Sequence, residues 1–272
     1  MNPPSIATEP SWVPAPGGRL FVQSWQPEDP VDPAADPPCP VVLLHDSLGC
    51  VALWRDFPAR LAAATRRRVI AYDRLGFGRS DPRGGTMPPD FVASEAREGF
   101  AAVRAALGLS RFAVFGHSVG GGMAVHVAAA AGAACEALVT ESAQAFVEER
   151  TRAGIRDAQA GFADPAQRER LARYHGDKAA WVLSAWIDTW LSPAFGGWSL
   201  DDALPRVRCP ALVIHGEEDE FGTSAHPRRI VAGLGGPATL ALLPGLRHVP
   251  HREDEDGVVA RVAAWLRRLD EA

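Results

Sequence analysis

Residues 112–124 read Phe-Ala-Val-Phe-Gly-His-Ser-Val-Gly-Gly-Gly-Met-Ala, and the rest of the chain is read outward from them. The apolar run Phe112 to Phe115 has the continuous hydrophobicity of a strand buried on both faces, and a small-residue helical pattern runs from Gly121 through Ala131. Between them, Gly116-His117-Ser118-Val119-Gly120 is a G-x-S-x-G turn. A strand that reverses into a helix this sharply leaves no space for a Cβ on either side of the serine, so both flanks are glycine. The turn lifts the serine Oγ into the open and aims the N–H of Val119 at whatever atom reacts there. Five-residue matches arise by chance, and it is the strand before and the helix after that give this one weight. Ser118 is therefore the expected nucleophile.

Upstream, the alternation of Trp12 to Gln26 around Gly17-Gly18 predicts a β-hairpin on a sheet edge. Pro27 to Pro40, rich in Pro, Asp and Ala, reads as a loop. Val41 to Leu44 and Val69 to Tyr72 are short buried strands, with helices expected over Leu53 to Ala64 and Phe91 to Leu107. Strand and helix thus alternate up to Ala131, which specifies βαβ units and a mostly parallel sheet with helices on both faces. Ala137 to Thr140 adds a strand. The composition then changes: no strand-like run appears before Arg208, helical stretches over Ala143 to Phe162 and Pro165 to Tyr174 follow one another, and tryptophans crowd in. Strand Ala211 to His215, helix Ala225 to Gly233, strand Thr239 to Leu243 and an amphipathic helix Asp256 to Leu269 resume the pattern. The expected organisation is a core in two parts, residues 1–142 and 206–272, with a helical cap inserted over 143–205.

Composition narrows the class of function. In 272 residues, 28 Lys and Arg against 33 Asp and Glu give a net charge of −5, so there is no basic footprint for nucleic acid. No apolar run is long enough to span a bilayer, and Met1 to Pro16 lacks the charged and apolar regions of a signal peptide, so no membrane association and a cytoplasmic location are expected. Cys39, Cys50, Cys135 and Cys209 are scattered without ligand spacing, which predicts reduced thiols and no metal site. The glycines of 116–122 lack G-x-G-x-x-G spacing, so no cofactor is expected. A small-molecule substrate is the partner these features leave; they carry nothing about oligomeric state.

Two loops follow late strands: Gly216-Glu217-Glu218-Asp219-Glu220 after Ala211 to His215, and Pro244-Gly245-Leu246-Arg247-His248-Val249-Pro250-His251 after Thr239 to Leu243. With His45 to Gly49, Asp73 to Ser80 and Gly116 to Gly120, these motifs make the chain resemble the α/β-hydrolase superfamily from end to end, in its capped serine-hydrolase branch. That resemblance implies the chain order nucleophile, acid, base, hence Ser118, Asp219 and His248. A neutral serine needs a base to take its proton, and the base needs a carboxylate to hold its tautomer. Glu217, Glu218 and Glu220 neighbour the acid position, and His251 competes with His248. The resemblance further implies an oxyanion hole from the amides of Ser47 and Val119. Asp46 stands where the family carries glycine, which implies either a turn with unusual φ or a carboxylate beside the site that disfavours anionic substrates. Arg247 also replaces a glycine.

The chemistry implied is hydrolysis of a carboxylic ester through an acyl-enzyme. C–C bond hydrolysis, thioester or lactone hydrolysis and, from another class, a non-catalytic ligand receptor are the alternatives. Trp181, Trp186 and Trp190, with Phe146, Trp54 and His117, are the candidate substrate contacts, predicting a small to medium apolar or aromatic substrate. Trp186 and Trp190 stand four residues apart on one helix face, a spacing that suits core packing as well as a pocket.

Overall fold

The computed structural model describes residues 5–28 and 37–271; residues 29–36, within the expected proline-rich loop, and residues 1–4 lie outside the described part. Eight strands form one sheet: β1 (Ile6–Ala15), β2 (Gly18–Pro27), β3 (Val41–Leu44), β4 (Val69–Tyr72), β5 (Phe112–His117), β6 (Cys135–Glu141), β7 (Ala211–Gly216) and β8 (Ala238–Leu243). Their spatial order is β1-β2-β4-β3-β5-β6-β7-β8. The hairpin β1–β2 joins β4 antiparallel, and every pairing from β4 to β8 is parallel. The hairpin is longer than the alternation predicts because its ladder holds over ten residue pairs, past Trp12 to Ile6.

The helices are α1 (Phe57–Thr65), α2 (Phe91–Ser94), α3 (Gly99–Ala106), α4 (Val119–Ala131), α5 (Glu149–Gly161), α6 (Pro165–His175), α7 (Ala179–Leu191), α8 (Ala225–Gly233), α9 (Pro250–Glu253) and α10 (Glu255–Asp270). Successive strand side chains point to opposite faces, so each central strand feeds two cores. Val42, Leu44, Val114, Leu138 and Val213 pack with α2, α3, α4 and α8. Val41, Leu43, Phe115, Val139 and Ile214 pack with Phe57 and Leu61 of α1 and with Val258, Val262 and Trp265 of α10. The central strands therefore carry continuous apolar runs, as read from the sequence, with polar residues gathered at their ends.

Two predicted helices are shorter than their patterns. The stretch Phe91 to Leu107 is split after Ser94, because the Glu95 carboxylate turns inward to accept from the Tyr72 hydroxyl at 2.6 Å and lies where a Cβ on Gly99 would sit. Residues 143–148 are not helical. They carry no regular structure beyond a bridge from Phe146 to Ser199, and α5 begins only at Glu149. Between β6 and β7 lie α5, α6 and α7, with no strand longer than that bridge. No described helix is long and apolar enough to cross a membrane.

Candidate active site

The site begins at the β5–α4 turn. Ser118 has φ +55° and ψ −125°, a region a residue with a side chain occupies only when its surroundings impose it, at a cost of about 1–3 kcal/mol. The surroundings are explicit: its N–H donates to the Glu141 carbonyl and its carbonyl accepts from the Gly121 N–H, each at 2.8 Å. The two flanking glycines are forced by close approach. A Cβ on Gly116 would lie 2.1 Å from the Gly120 carbonyl oxygen, and one on Gly120 would lie 2.2 Å from that of Leu44.

Across the sheet end, the loop after β8 brings His248 Nε2 to 3.0 Å from Ser118 Oγ. His248 Nδ1 stands 2.9 Å from each carboxylate oxygen of Asp219, on the loop after β7. Asp219 is wholly buried and also accepts the Phe221 N–H at 2.7 Å. Burial works to raise its pKa, but the bond from His248 and the charge there outweigh it, so the carboxyl stays below its usual range. For His248, burial pushes down while Asp219 pushes up, and the net is a pKa above that of an ordinary imidazole. The neighbours that competed for these places do other things. The Glu220 carboxylate accepts the backbone N–H of His248 at 3.2 Å and pairs with Arg247, whose side chain is exposed. His251 bonds Glu141 on the far side of the loop.

A cavity of about 170 Å³ opens over Ser118. It is lined by Asp46, Ser47 and Leu48, by Gln144, by Thr151 and Ile155 of α5, by Trp186 and Trp190 of α7, and by Phe221, His248 and Val249. Ser47 therefore stands at the cavity, and Val119, first residue of α4, has an N–H that no carbonyl of its own helix can accept. The loop carrying Ser47 is held by His45, whose Nδ1 donates to the Asp46 carbonyl at 2.8 Å while Nε2 accepts the Arg74 N–H at 3.2 Å. Burial keeps this imidazole neutral. Asp46 does not have a positive φ, so the residue is not there for an unusual backbone conformation. Its carboxylate folds back toward its own turn, occupying the space a Cβ on Gly49 would need. Burial opposes its ionisation, yet its pKa is lowered, with the fixed positive charge of Arg252 among the neighbours that favour the carboxylate.

Of the six candidate substrate contacts, Trp186 and Trp190 meet Ser118 at the cavity and four do not. Trp54 lies beneath the site among Phe57, Phe115 and His251, because the 3-10 turn Val51–Trp54 directs it into the core shared with α1. His117 faces the same way: it is the strand residue before Ser118, so it points to the opposite side of the sheet. There its Nε2 donates to the His248 carbonyl at 2.8 Å, and burial lowers its pKa to about 4, leaving it neutral. Phe146 covers His226, ring centroids 4.5 Å apart, because the bridge to Ser199 turns it outward from the cavity. Trp181 packs edge-on to Phe77 and donates Nε1–H to the Gly85 carbonyl at 2.8 Å, nearer the start of α7 than the cavity-facing pair.

Residues that the sequence reading missed complete the wall. Gln144 is 4% exposed with its amide oxygen 3.4 Å from Ser118 Oγ, and Thr151, Ile155 and Phe221 also line the cavity. Thr151 and Ile155 are four apart at the two buried positions of a mostly polar helix, a signal the sequence did contain. Nothing comparable marks Gln144. One group has donors suited to a cation: atoms of His117, Glu141 and His251 lie within 4.8 Å of one another. The Glu141 carboxylate already accepts both the backbone N–H and Nδ1–H of His251, at 2.9 and 2.5 Å, so these groups satisfy each other without an ion.

The chain is similar in sequence and fold to known proteins. The mouse serine hydrolase BPHL is 29% identical over an alignment covering 72% of this chain and 69% of its own length. A non-heme haloperoxidase of Rhodococcus erythropolis is 28% identical, covering 78% of this chain and 87% of that protein. Among solved structures, the proline iminopeptidase of Mycobacterium smegmatis superposes with a TM-score of 0.68 at 25% identity, over 96% of this chain and 99% of that one. The sequence model of the alpha/beta hydrolase fold family matches residues 40–186, more than half of the chain and including the turn at Ser118. With that match, the sheet order and the strand-to-helix turn all in agreement, the chain belongs to the α/β hydrolase fold family.

Proposed function

We propose that the chain is a serine hydrolase that cleaves carboxylic esters of small to medium, largely apolar or aromatic substrates through an acyl-enzyme on Ser118. The observation that carries this reading is the unbroken line Ser118 Oγ, His248 Nε2, His248 Nδ1, Asp219 carboxylate, each link between 2.9 and 3.0 Å, ending in an open cavity. His248, neutral above its raised pKa, takes the Oγ proton as Oγ attacks the ester carbonyl. The amides of Ser47 and Val119 are the proposed donors to the oxyanion, each worth roughly 3–4 kcal/mol to the transition state. The imidazolium, stabilised by Asp219, then protonates the leaving alcohol. Water enters, gives its proton to the same nitrogen and attacks the acyl carbon, and collapse of the second tetrahedral species frees the acid and Ser118.

We assign residues 143–205 the role of a cap, because α5 and α7 supply Thr151, Ile155, Trp186 and Trp190 to the cavity wall above the sheet. A cavity near 170 Å³ suits a short acyl group, and its aromatic and aliphatic walls favour an apolar one. The deciding experiment is hydrolysis of p-nitrophenyl esters of increasing chain length with Ser118→Ala as control, together with fluorophosphonate labelling mapped by mass spectrometry. Hydrolysis that falls off beyond short chains, with label on Ser118 alone, is the expected result. Absence of both hydrolysis and label overturns the reading.

A further inference from the structure

The cavity wall contains a buried polar side chain, Gln144, whose hydrogen-bonding capacity is largely unused by the protein. Gln144 is 4% exposed, and among the described residues its amide has a single contact, 3.4 Å from its Oε1 to Ser118 Oγ. That contact is long, and the Oγ proton is already engaged with His248 Nε2 at 3.0 Å. An amide offers two N–H donors and a carbonyl acceptor, and among the described residues no protein group accepts from the donors, which leaves them for a ligand at the cavity. Of the other polar groups at the cavity, Thr151 and His248 are bonded within the protein, whereas the half-buried Ser47 hydroxyl and Asp46 carboxylate carry no side-chain hydrogen bond among the described residues. The Thr151 hydroxyl donates to the Phe221 carbonyl at 2.7 Å, His248 serves Ser118 and Asp219, and the Asp46 carboxylate lies against its own turn at Gly49.

Gln144 is also held firmly. Two residues before it, the Ser142 N–H donates to the Ile214 carbonyl at 2.9 Å. One residue after it, the Ala145 N–H donates to His226 Nδ1 at 3.1 Å, and the Ala145 carbonyl accepts the Leu200 N–H at 2.8 Å. His226 is fixed in turn by the Glu148 carboxylate at 2.9 Å. The backbone on both sides of Gln144 is therefore pinned to β7, α8 and the end of the insertion. A side chain so braced, aimed at the nucleophile from within an apolar wall, has the character of a recognition group.

We infer that the Gln144 amide reads a hydroxyl or oxo group on the acyl chain close to the scissile carbonyl, so that short hydroxy- or oxo-acid esters are preferred over plain alkanoate esters. This rests on the ester-hydrolase reading and refines it. An acyl group on Oγ, itself 3.4 Å from the amide oxygen, carries its second and third carbons past the amide at close range. A hydroxyl there both donates and accepts, and an oxo oxygen accepts from the amide N–H. The remaining walls, Ile155, Trp186, Trp190 and Phe221, take the alkyl remainder. A site built to bond such a group rejects the analogue that lacks it, since its own polar atoms are then left unpaired.

The test compares methyl butanoate with methyl 2-hydroxybutanoate, methyl 3-hydroxybutanoate and methyl 3-oxobutanoate by pH-stat, in the wild type, Gln144→Leu and Gln144→Glu. The readout is the ratio of kcat/KM for each substituted ester to that for butanoate. The wild-type ratio is expected to exceed one by roughly 10- to 100-fold for at least one substituted ester. Gln144→Leu should bring it to near one, and Gln144→Glu, which accepts but does not donate when ionised, should keep a hydroxy preference and lose an oxo preference. Wild-type ratios at or below one overturn the inference, as does a preference that survives in Gln144→Leu. Fluorophosphonate labelling separates the two levels: labelled Ser118 with flat ratios removes only the role of Gln144, whereas no labelling and no hydrolysis of any ester removes the ester reading and this inference together.

Discussion

His248 and His251 stand three residues apart on one loop, and each bonds a buried carboxylate through Nδ1: Asp219 at 2.9 Å and Glu141 at 2.5 Å. As residue types the two pairs are nearly interchangeable. They differ in what the second ring nitrogen and the ring faces meet. His248 turns Nε2 to Ser118 Oγ and the cavity. His251 is enclosed by Trp54, Phe57 and His117, with ring centroids 4.7 to 5.3 Å away, and its carboxylate is spent on both its ring and its backbone N–H. On the proposed reading one pair passes a proton to and from Ser118, whereas the other closes a joint between the end of β6 and the start of α9. An imidazole–carboxylate pair is thus chemistry only where its free nitrogen has a reactant to face.

The comparison can be broken first at the nucleophile. Ser118→Ala should lower kcat by roughly 10⁴-fold or more with little change in thermal stability, measured by ester hydrolysis and a melting curve. Asp219→Asn comes next. It should cost roughly 10³- to 10⁴-fold in kcat with the fold intact, because the imidazole loses its tautomer and its counter-charge. Glu141→Gln should show the opposite balance. It should lose about 1–3 kcal/mol in denaturant unfolding while kcat falls far less than in Asp219→Asn; an equal loss of kcat would erase the distinction between the pairs.

The pH dependences separate them further. His248 must be neutral to act as base, and its pKa is raised, so kcat/KM should climb with pH through a midpoint above the ordinary imidazole value. In Asp219→Asn that midpoint should move down. Burial opposes ionisation of Glu141, but His251 overcomes it, and its folded pKa is lowered. Its contribution to stability is therefore present above the unfolded carboxylate pKa and lost as pH falls through the folded one. Glu141→Gln should flatten the acid side of the stability profile. The smallest effect belongs to the tryptophans: Trp186→Ala should change the ranking of short, long and aromatic esters, whereas Trp54→Phe should change melting temperature and leave that ranking as it is.

The buried strands, the turn at Ser118 and the order of the two later loops were legible in the sequence because each rests on a local pattern: unbroken apolar runs, close-packed glycines, loops at strand ends. His251 could be set apart from His248 by its place in the loop, but its bond to Glu141, 110 residues away, has no local trace. The cavity wall was only half readable. Trp186 and Trp181 look alike in sequence, and only the pose of α7 turns one toward Ser118 and the other toward Phe77 and Gly85. Gln144 was hidden differently. Residues 143–148 have helical composition, and it is tertiary pinning by His226 and Leu200 that holds them out of a helix and delivers the amide to the site.

That same pinning has a consequence for how such a molecule changes over generations. The Phe146–Ser199 bridge and the Leu200 to Ala145 bond bring the two ends of the intervening 50-odd residues side by side, so the excursion leaves the sheet and returns to it at a single seam. Length and sequence beyond the seam can then vary without straining the strands that hold Ser118, Asp219 and His248, since lengthening a loop whose ends already touch adds little closure entropy. Segments from related chains should be exchangeable at this seam, carrying a new cavity wall to an unaltered line of Ser118, His248 and Asp219.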